Sequence, residues 1–199
     1  MQLEILIEPF PHAIVRNFYT EQELSDIWRE LKFLSVNNKF LPPDKTGSAT
    51  VDFLPTKNNY GIYLDKTYVD RKLSDILTYS RKLFSPDLIG ELVKSHWMFN
   101  YLKHCNMDTT LLSYYENGAY YKPHVDYCTL TALTHLYKEP KCFSGGELSF
   151  SKFDYNCGLE NNRMILFPSV LEHEVSEIKM AEDIKFGGRY TISQFVMLG

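Results

Sequence analysis

Two histidines, an aspartate and an arginine are the residues of this chain whose types and order could support metal chemistry. His124 and Asp126 are two residues apart in a segment patterned like a strand, so their side chains would project from one face. Such a pair alone is weak evidence for a metal site, because a solvent-facing pair on a strand is the simpler interpretation. His173 in a second predicted strand, and Arg189 at the start of the last one, make a functional interpretation stronger.

The chemistry that this set supports is that of a metal with open coordination positions. Two histidines and one carboxylate on one face of an octahedral iron leave three positions free. A metal that must bind a bidentate co-substrate and O₂ together needs such a ligand set. A buried Arg189 would offer a planar fork to a distal carboxylate. Thr191 and Ser193 would share its strand face and place hydroxyls beside it.

The first half of the chain carries helical patterns. Thr20 to Glu23 is a capping-box signature, and apolar residues follow at helical spacing as far as Leu34. A second helix is predicted to carry five apolar residues on one face: Val69, Leu73, Ile76, Leu77 and Phe84. Ser85-Pro86 would end that helix and begin a third, with Ser85 as its cap.

From Thr109 onward the hydrophobic period changes to two, which predicts strands. The predicted strands lie near Leu111–Tyr115, Tyr121–Asp126, Leu130–Tyr137, Glu147–Phe150, Arg163–Phe167, His173–Ile178 and Tyr190–Met197. Strands at this spacing favour a sandwich or barrel with the N-terminal helices packed outside it. The proline-containing segment Leu41–Asn59 is predicted to be a long loop.

Composition narrows the class of protein. The length of 199 residues suits one domain, and the net charge of −4 makes a nucleic-acid partner an unfavoured interpretation. No run of apolar residues is long enough for a membrane span. The apolar stretch within Met1–Glu8 is too short and too acidic to be expected to act as a signal peptide. Four scattered cysteines without Cys-x-x-Cys spacing argue against a zinc site built on cysteines and for reduced thiols in the cytoplasm.

Several motifs, in the right order, resemble those of prolyl 4-hydroxylase-type 2-oxoglutarate/Fe(II) oxygenases. Tyr115–Asp126 looks like the family segment that holds the first two metal ligands, and Leu130–Tyr137 like its next strand. Phe143–Leu148 is similar to the family's Gly-Gly-Glu turn. His173–Val175 and Arg189–Thr191 are similar to the distal ligand and the co-substrate arginine.

The resemblance implies a mainly β (α+β) fold with a double-stranded β-helix core of the jelly-roll or cupin type. The chain would be one oxygenase domain over residues 1–199, with helical support in about 1–108 and the catalytic β core in about 109–199. The implied iron ligands are His124, Asp126 and His173. Arg189 would bind the distal carboxylate of 2-oxoglutarate, while the keto-acid end chelates the iron.

Further residues are expected in or near the co-substrate pocket. Tyr115 matches a pocket tyrosine of the family, Thr191 would lie beside Arg189, and His135 stands where many members place a tyrosine. An imidazole can also donate a hydrogen bond there. The Ser176–Gly188 segment is longer than expected and is predicted to be an extended loop. Tyr121 is predicted to face away from His124, since the two are three residues apart.

The implied activity is hydroxylation of an unactivated C–H bond with Fe(II), 2-oxoglutarate and O₂, releasing succinate and CO₂. Ascorbate is a further candidate cofactor. A peptidyl proline is the favoured substrate, and a free amino acid or small metabolite remains an alternative. Two other hypotheses stay open: a non-catalytic binding module on the same fold, and a zinc hydrolase using the same ligands. The arginine has no role in the zinc hypothesis. The sequence does not fix the oligomeric state.

Overall fold

The computed structural model describes residues 1–47, 50–51, 54–182 and 184–198. The strands are β1 Gln2–Leu6, β2 His12–Arg16, β3 Thr50–Val51, β4 Leu54–Pro55, β5 Tyr60–Tyr63, β6 Met107–Tyr115, β7 Tyr121–His124, β8 Leu130–Leu136, β9 Phe143–Ser144, β10 Leu148–Phe150, β11 Tyr155–Asn156, β12 Arg163–Pro168, β13 His173–Val175, β14 Lys179–Met180 and β15 Arg189–Met197. The α-helices are α1 Glu21–Val36, α2 Leu64–Thr67, α3 Asp75–Tyr79, α4 Pro86–Ser95 and α5 Tyr101–His104. None of these helices is long and apolar enough to cross a membrane.

Most strands belong to two antiparallel sheets. In the described part of the chain, the large sheet has the order β1-β2-β12-β8-β15-β6-β5 and the small sheet the order β11-β10-β13-β7. Helices α1, α3 and α4 pack on the outer face of the large sheet, where their apolar residues form one cluster with residues of β8, β12 and β15. This confirms the predicted double-stranded β-helix core with N-terminal packing helices.

The two faces of β15 show how the sheet separates core from site. Tyr190 and Ile192 point to the helices and belong to the main apolar cluster. Arg189, Thr191 and Ser193 point the other way, into a cavity that residues of the small sheet also line. Successive side chains of a strand face opposite sides, so one strand serves both the core and the site.

The caps of α1 and α4 are as predicted. The Thr20 hydroxyl accepts a hydrogen bond from the Glu23 amide (3.3 Å), and the Glu23 carboxylate accepts one from the Thr20 amide (2.7 Å). Ser85 caps α4 through its hydroxyl, which accepts from the Leu88 amide (3.4 Å), and Pro86 occupies the first turn. Each cap satisfies amides that have no partner within the helix.

The prediction of one continuous second helix is wrong. The region consists of a 3₁₀ turn at Arg71–Leu73, the short helix α3 and a 3₁₀ turn at Ser80–Phe84. Val69 and Leu73 are exposed, while Ile76 and Leu77 are fully buried. Ser74 is extended and caps α3, and this extended residue interrupts the helix that the apolar spacing suggested.

The first half of the chain also contains strands, which its helical pattern did not predict. Strands β1 and β2 extend the large sheet beside β12, and β5 pairs with β6. The predicted loop Leu41–Asn59 contains a 3₁₀ turn and the β3–β4 hairpin, while its residues 48, 49, 52 and 53 lie outside the described part. Within the predicted Ser176–Gly188 loop, β14 pairs with β9; residue 183 lies outside the description.

Helix α1 is joined to α3 by a buried carboxylate. Glu30 accepts hydrogen bonds from the Ser74 hydroxyl (2.7 Å) and the Ile76 amide (2.9 Å). We expect Glu30→Ala to lower the free energy of unfolding by about 1–3 kcal/mol, since both donors would remain buried without a partner. Urea unfolding measures the change. Glu21→Ala, on the exposed face of the same helix, is the control, and an equal loss in the two variants would contradict the prediction.

Candidate metal and co-substrate site

The three predicted metal ligands meet at the edge of the small sheet. His124 ends β7 and pairs directly with His173, which begins β13. Asp126 follows two residues after β7, and one ligand atom from each residue lies within 4.8 Å of the others. The Nε2 atoms of His124 and His173 lie 4.0 Å and 3.6 Å from the carboxylate oxygens of Asp126. Atoms at this separation can bind one metal ion from one side.

Hydrogen bonds fix the orientation of these ligands. In each histidine, Nδ1 donates to the backbone carbonyl two residues earlier, at 2.9 Å. Both Nε2 atoms are therefore available to a metal. The Thr131 hydroxyl donates to Oδ2 of Asp126 (2.7 Å). Partners of this kind hold a ligand in place and adjust its basicity.

Burial keeps the first histidine in the form that binds metal. Desolvation, with the neighbouring His173 as a second cause, lowers the pKa of His124 to about 3. A neutral imidazole is the ligand form. His124 therefore needs no deprotonation to bind a metal at neutral pH.

The guanidinium of Arg189 lies in the same cavity, fully buried. One nitrogen, Nη1, donates to the Gly146 carbonyl (2.7 Å), and the guanidinium carbon lies 5.0 Å from the ring centre of Tyr115. The Nε and Nη2 atoms have no hydrogen-bond partner among the described residues. Burial lowers the pKa of Arg189 to about 10, so the group is still charged at neutral pH.

Glycines make room for this arginine. Gly146 has a φ of +77°, and a Cβ there would lie 2.4 Å from Cδ1 of Ile178 and 3.4 Å from Cδ of Arg189. A Cβ at Gly188 would lie 1.9 Å from the Tyr115 carbonyl oxygen. The Gly-Gly-Glu turn and the glycine before Arg189 thus allow close approach of backbone to side chain.

The other predicted pocket residues surround Arg189. His135 pairs with Thr191 across β8 and β15, and both are buried. Neither ring nitrogen of His135 nor the Thr191 hydroxyl has a partner among the described residues. Burial and the charge of Arg189 hold the pKa of His135 well below its usual value, and burial raises the pKa of Tyr115.

These orphaned groups fit a bound carboxylate. A neutral imidazole, a hydroxyl and two guanidinium nitrogens can all donate hydrogen bonds, and buried polar groups normally have partners. A ligand with one carboxylate toward Arg189 and a chelating end toward the triad would satisfy both halves of the cavity. The predicted co-substrate has both groups.

The prediction that Tyr121 faces away from His124 is wrong. The two rings are stacked, with centres 3.4 Å apart and an interplanar angle of 11°, and both line the cavity. The pairing of β7 with β13 shifts register between His173 and Val175. Strict alternation of side chains fails at such an irregularity, and the spacing of three residues was therefore misleading.

Lys57 is a site residue that the sequence did not reveal. Its side chain lines the cavity and the residue is 3% exposed. Desolvation lowers the pKa of its ammonium to about 8, against the opposing charge of Asp126. An antiparallel bridge pairs the backbone of Lys57 with that of Tyr121. Because that contact joins distant segments, a local pattern could not signal it.

The β core of the chain matches a known protein family. Residues 110–197 match the model of the 2OG-Fe(II) oxygenase superfamily. No curated protein matches the sequence.

Among solved structures, the fold is similar to that of a prolyl-4-hydroxylase from Pseudomonas putida, with a TM-score of 0.65, 14% identity, and coverage of 94% of this chain and 92% of that one. A viral collagen prolyl hydroxylase from Paramecium bursaria Chlorella virus-1 has a TM-score of 0.52 at 15% identity, over 93% and 94% of the two chains. A non-heme alpha-ketoglutarate-dependent epimerase from nogalamycin biosynthesis has a TM-score of 0.57 at 12% identity, over 94% and 78%. At these identities the likeness is one of fold, shared by proteins whose names describe different reactions.

The family match spans the strands that carry all three candidate ligands and Arg189, and the fold around them is that of prolyl 4-hydroxylases and their relatives. The β core of this chain, over residues 110–197, is therefore the part that is similar to the 2OG-Fe(II) oxygenase superfamily.

Proposed function

We propose that the chain is a 2-oxoglutarate- and Fe(II)-dependent dioxygenase that hydroxylates an unactivated C–H bond, with a peptidyl proline as the favoured substrate. The products of the co-substrate would be succinate and CO₂. His124, Asp126 and His173 would hold the iron. Arg189 would bind the distal carboxylate of 2-oxoglutarate, with Tyr115, His135 and Thr191 lining the same pocket.

One observation carries this proposal: the buried Arg189 has two guanidinium nitrogens without a partner, in the cavity that also contains the triad. A buried charge is costly unless it is paired. A zinc hydrolase would have no use for this cation, and a binding module would have no use for three convergent metal ligands. An oxygenase that takes a dicarboxylate co-substrate uses both.

The protein's own residues would position and enclose the reactants. Fe(II) with 2-oxoglutarate supplies the oxidising chemistry, in which O₂ is consumed and the keto acid is decarboxylated. Arg189 would orient the keto acid, and Thr131 would hold the Asp126 carboxylate toward the metal. The two sheets would keep bulk water away from the buried ligands.

Sequence motifs support the choice of a peptidyl proline. The Tyr115–Asp126 and His173–Val175 segments resemble those of prolyl hydroxylases. A free amino acid is a second candidate, favoured by the buried ammonium of Lys57 in the cavity.

We also infer O₂ as co-substrate, ascorbate as an accessory reductant, and one domain over residues 1–199. The last inference is supported by β1, β2 and β5, which complete the sheet that carries Arg189. All four cysteines have free thiols. This supports a cytoplasmic location, since the cytoplasm keeps thiols reduced.

Loss of the guanidinium should act on the co-substrate. We expect Arg189→Met to raise the KM for 2-oxoglutarate on the order of 100-fold, because it removes a buried partner of a carboxylate. Fe(II)- and O₂-dependent formation of succinate from 2-oxoglutarate, with candidate prolyl peptides present, measures the effect. His173→Ala should abolish turnover.

The control is Arg81→Met, which removes an exposed cation and should leave the KM unchanged. Turnover that persists in His173→Ala, or an unchanged KM in Arg189→Met, would show that the site works in another way. Hydrolytic activity that survives strict removal of O₂ would favour the zinc hypothesis.

Metal affinity should depend on the hydroxyl that holds Asp126. We expect Thr131→Val to weaken Fe(II) binding about 10- to 100-fold, because partners that orient ligands typically contribute this much. Anaerobic competition with a metal-binding dye gives the affinity. Thr131→Ser keeps the hydroxyl and should bind like the wild type; if it is as weak as the valine variant, the hydrogen bond is not the cause.

A further inference from the structure

The side chain of Lys57 lines the cavity that contains the three candidate metal ligands. The backbone of Lys57 pairs with that of Tyr121 through an antiparallel bridge, and Nζ lies 5.4 Å from the Tyr121 ring centre. The ring of Tyr121 is itself stacked on His124. Lys57 is thereby fixed beside the ligands instead of extending into solvent, where a lysine on a loop normally lies.

This ammonium is poorly satisfied. Among the described residues, it donates one hydrogen bond, to the Thr46 carbonyl at 3.3 Å, and no carboxylate lies within ion-pair distance of it. An ammonium can donate three hydrogen bonds, and an unpaired buried charge is costly. A ligand that accepts a hydrogen bond from Nζ would remove that cost.

The balance of charge in the cavity indicates the kind of ligand. The charged side chains that line it are Lys57, Asp126 and Arg189. Fe(II), Arg189 and Lys57 would together carry one more positive charge than Asp126 and the two carboxylates of 2-oxoglutarate carry negative charges. The charge of Lys57 would then remain unbalanced after the metal and the keto acid had bound, so an anionic substrate group would complete the site.

Lys57 also lies near a second groove on the molecule. A second, outer groove is lined by Gly47, Tyr63, Val125 and Tyr127, and it shares Tyr121, Asp126 and Phe195 with the cavity. The carbonyl that accepts from Lys57 belongs to Thr46, the residue before Gly47. Nζ therefore lies in the cavity and is hydrogen-bonded to the residue that precedes the wall of the groove.

We propose that Lys57 binds a carboxylate of the substrate, so that the preferred substrates carry a carboxylate close to the C–H bond that reacts. The carboxylate could be that of a free amino acid, of a C-terminal residue, or of an acidic side chain beside the target residue. This inference rests on the proposed function and names the substrate class of the same site.

The test uses pairs of probes that differ in one charge. N-acetyl-L-proline is compared with N-acetyl-L-prolinamide, a peptide ending in proline with its C-terminal amide, and a capped Asp-Pro peptide with its Asn-Pro counterpart. Each is titrated anaerobically into protein loaded with Fe(II) and 2-oxoglutarate. The shift of the visible charge-transfer band gives the dissociation constant.

We expect the wild type to bind at least one carboxylate probe tighter than its amide by about tenfold or more, which is the order of effect of a desolvated ion pair. Lys57→Met should remove that preference and leave the 2-oxoglutarate titration unchanged, and Lys57→Arg should retain it. Lys122→Met is the matched control, because Lys122 is exposed on β7. The pair that shows the preference identifies the source of the carboxylate.

Three results would overturn the inference: no carboxylate preference in the wild type, a preference that survives in Lys57→Met, or a loss of 2-oxoglutarate affinity in that variant. The last result would show that Lys57 binds the co-substrate and not the substrate. A wild type that forms no charge-transfer band at all would contradict the proposed function itself, and the inference would fall with it.

Discussion

The fully buried guanidinium of Arg189 sets the terms for the rest of the site, because a buried charge must be offset by specific partners. The fold supplies one of these, the Gly146 carbonyl, and permits the close approach through glycines that no larger residue could replace without a clash. The remaining donors are left facing a cavity. A bound anion would supply partners for these donors and offset the buried charge. A ligand that reaches from the guanidinium to the metal ligands would therefore connect the two sides of the cavity.

The two sheets carry different residues of the site. The large sheet carries Arg189 on its inner face, and the helices pack on its outer face, so the strand that holds the cation is braced by the main apolar core. The small sheet carries His124 and His173 in directly paired positions. The distance between the guanidinium and the triad is therefore set by the packing of one sheet on the other, and a second apolar cluster with Phe150 and Phe167 supports that packing.

Local patterns predicted the parts of the site that depend on strand alternation and order along the chain. The grouping of the His-x-Asp pair with the later histidine, and the shared face of Arg189 and Thr191, follow from spacing and motif resemblance. Lys57 and Tyr121 could not be found in this way, because a long-range bridge and a shift in register place them. The prediction of one continuous second helix was wrong for a similar reason. Ser74 adopts an extended conformation, in which it caps α3 and donates a hydrogen bond to Glu30 of α1. These contacts override the helical spacing of the apolar residues.

The proposed iron and 2-oxoglutarate site is best tested by an anomalous difference map at the iron absorption edge, from crystals grown without O₂ in Fe(II) and 2-oxoglutarate. We expect one iron peak within about 2.0–2.3 Å of Nε2 of His124, Nε2 of His173 and a carboxylate oxygen of Asp126, as for ordinary nitrogen and oxygen ligands. Continuous density should run from that peak to the guanidinium of Arg189. An iron bound elsewhere, or a keto acid whose distal carboxylate does not contact Arg189, would show that the triad and Arg189 do not form one site.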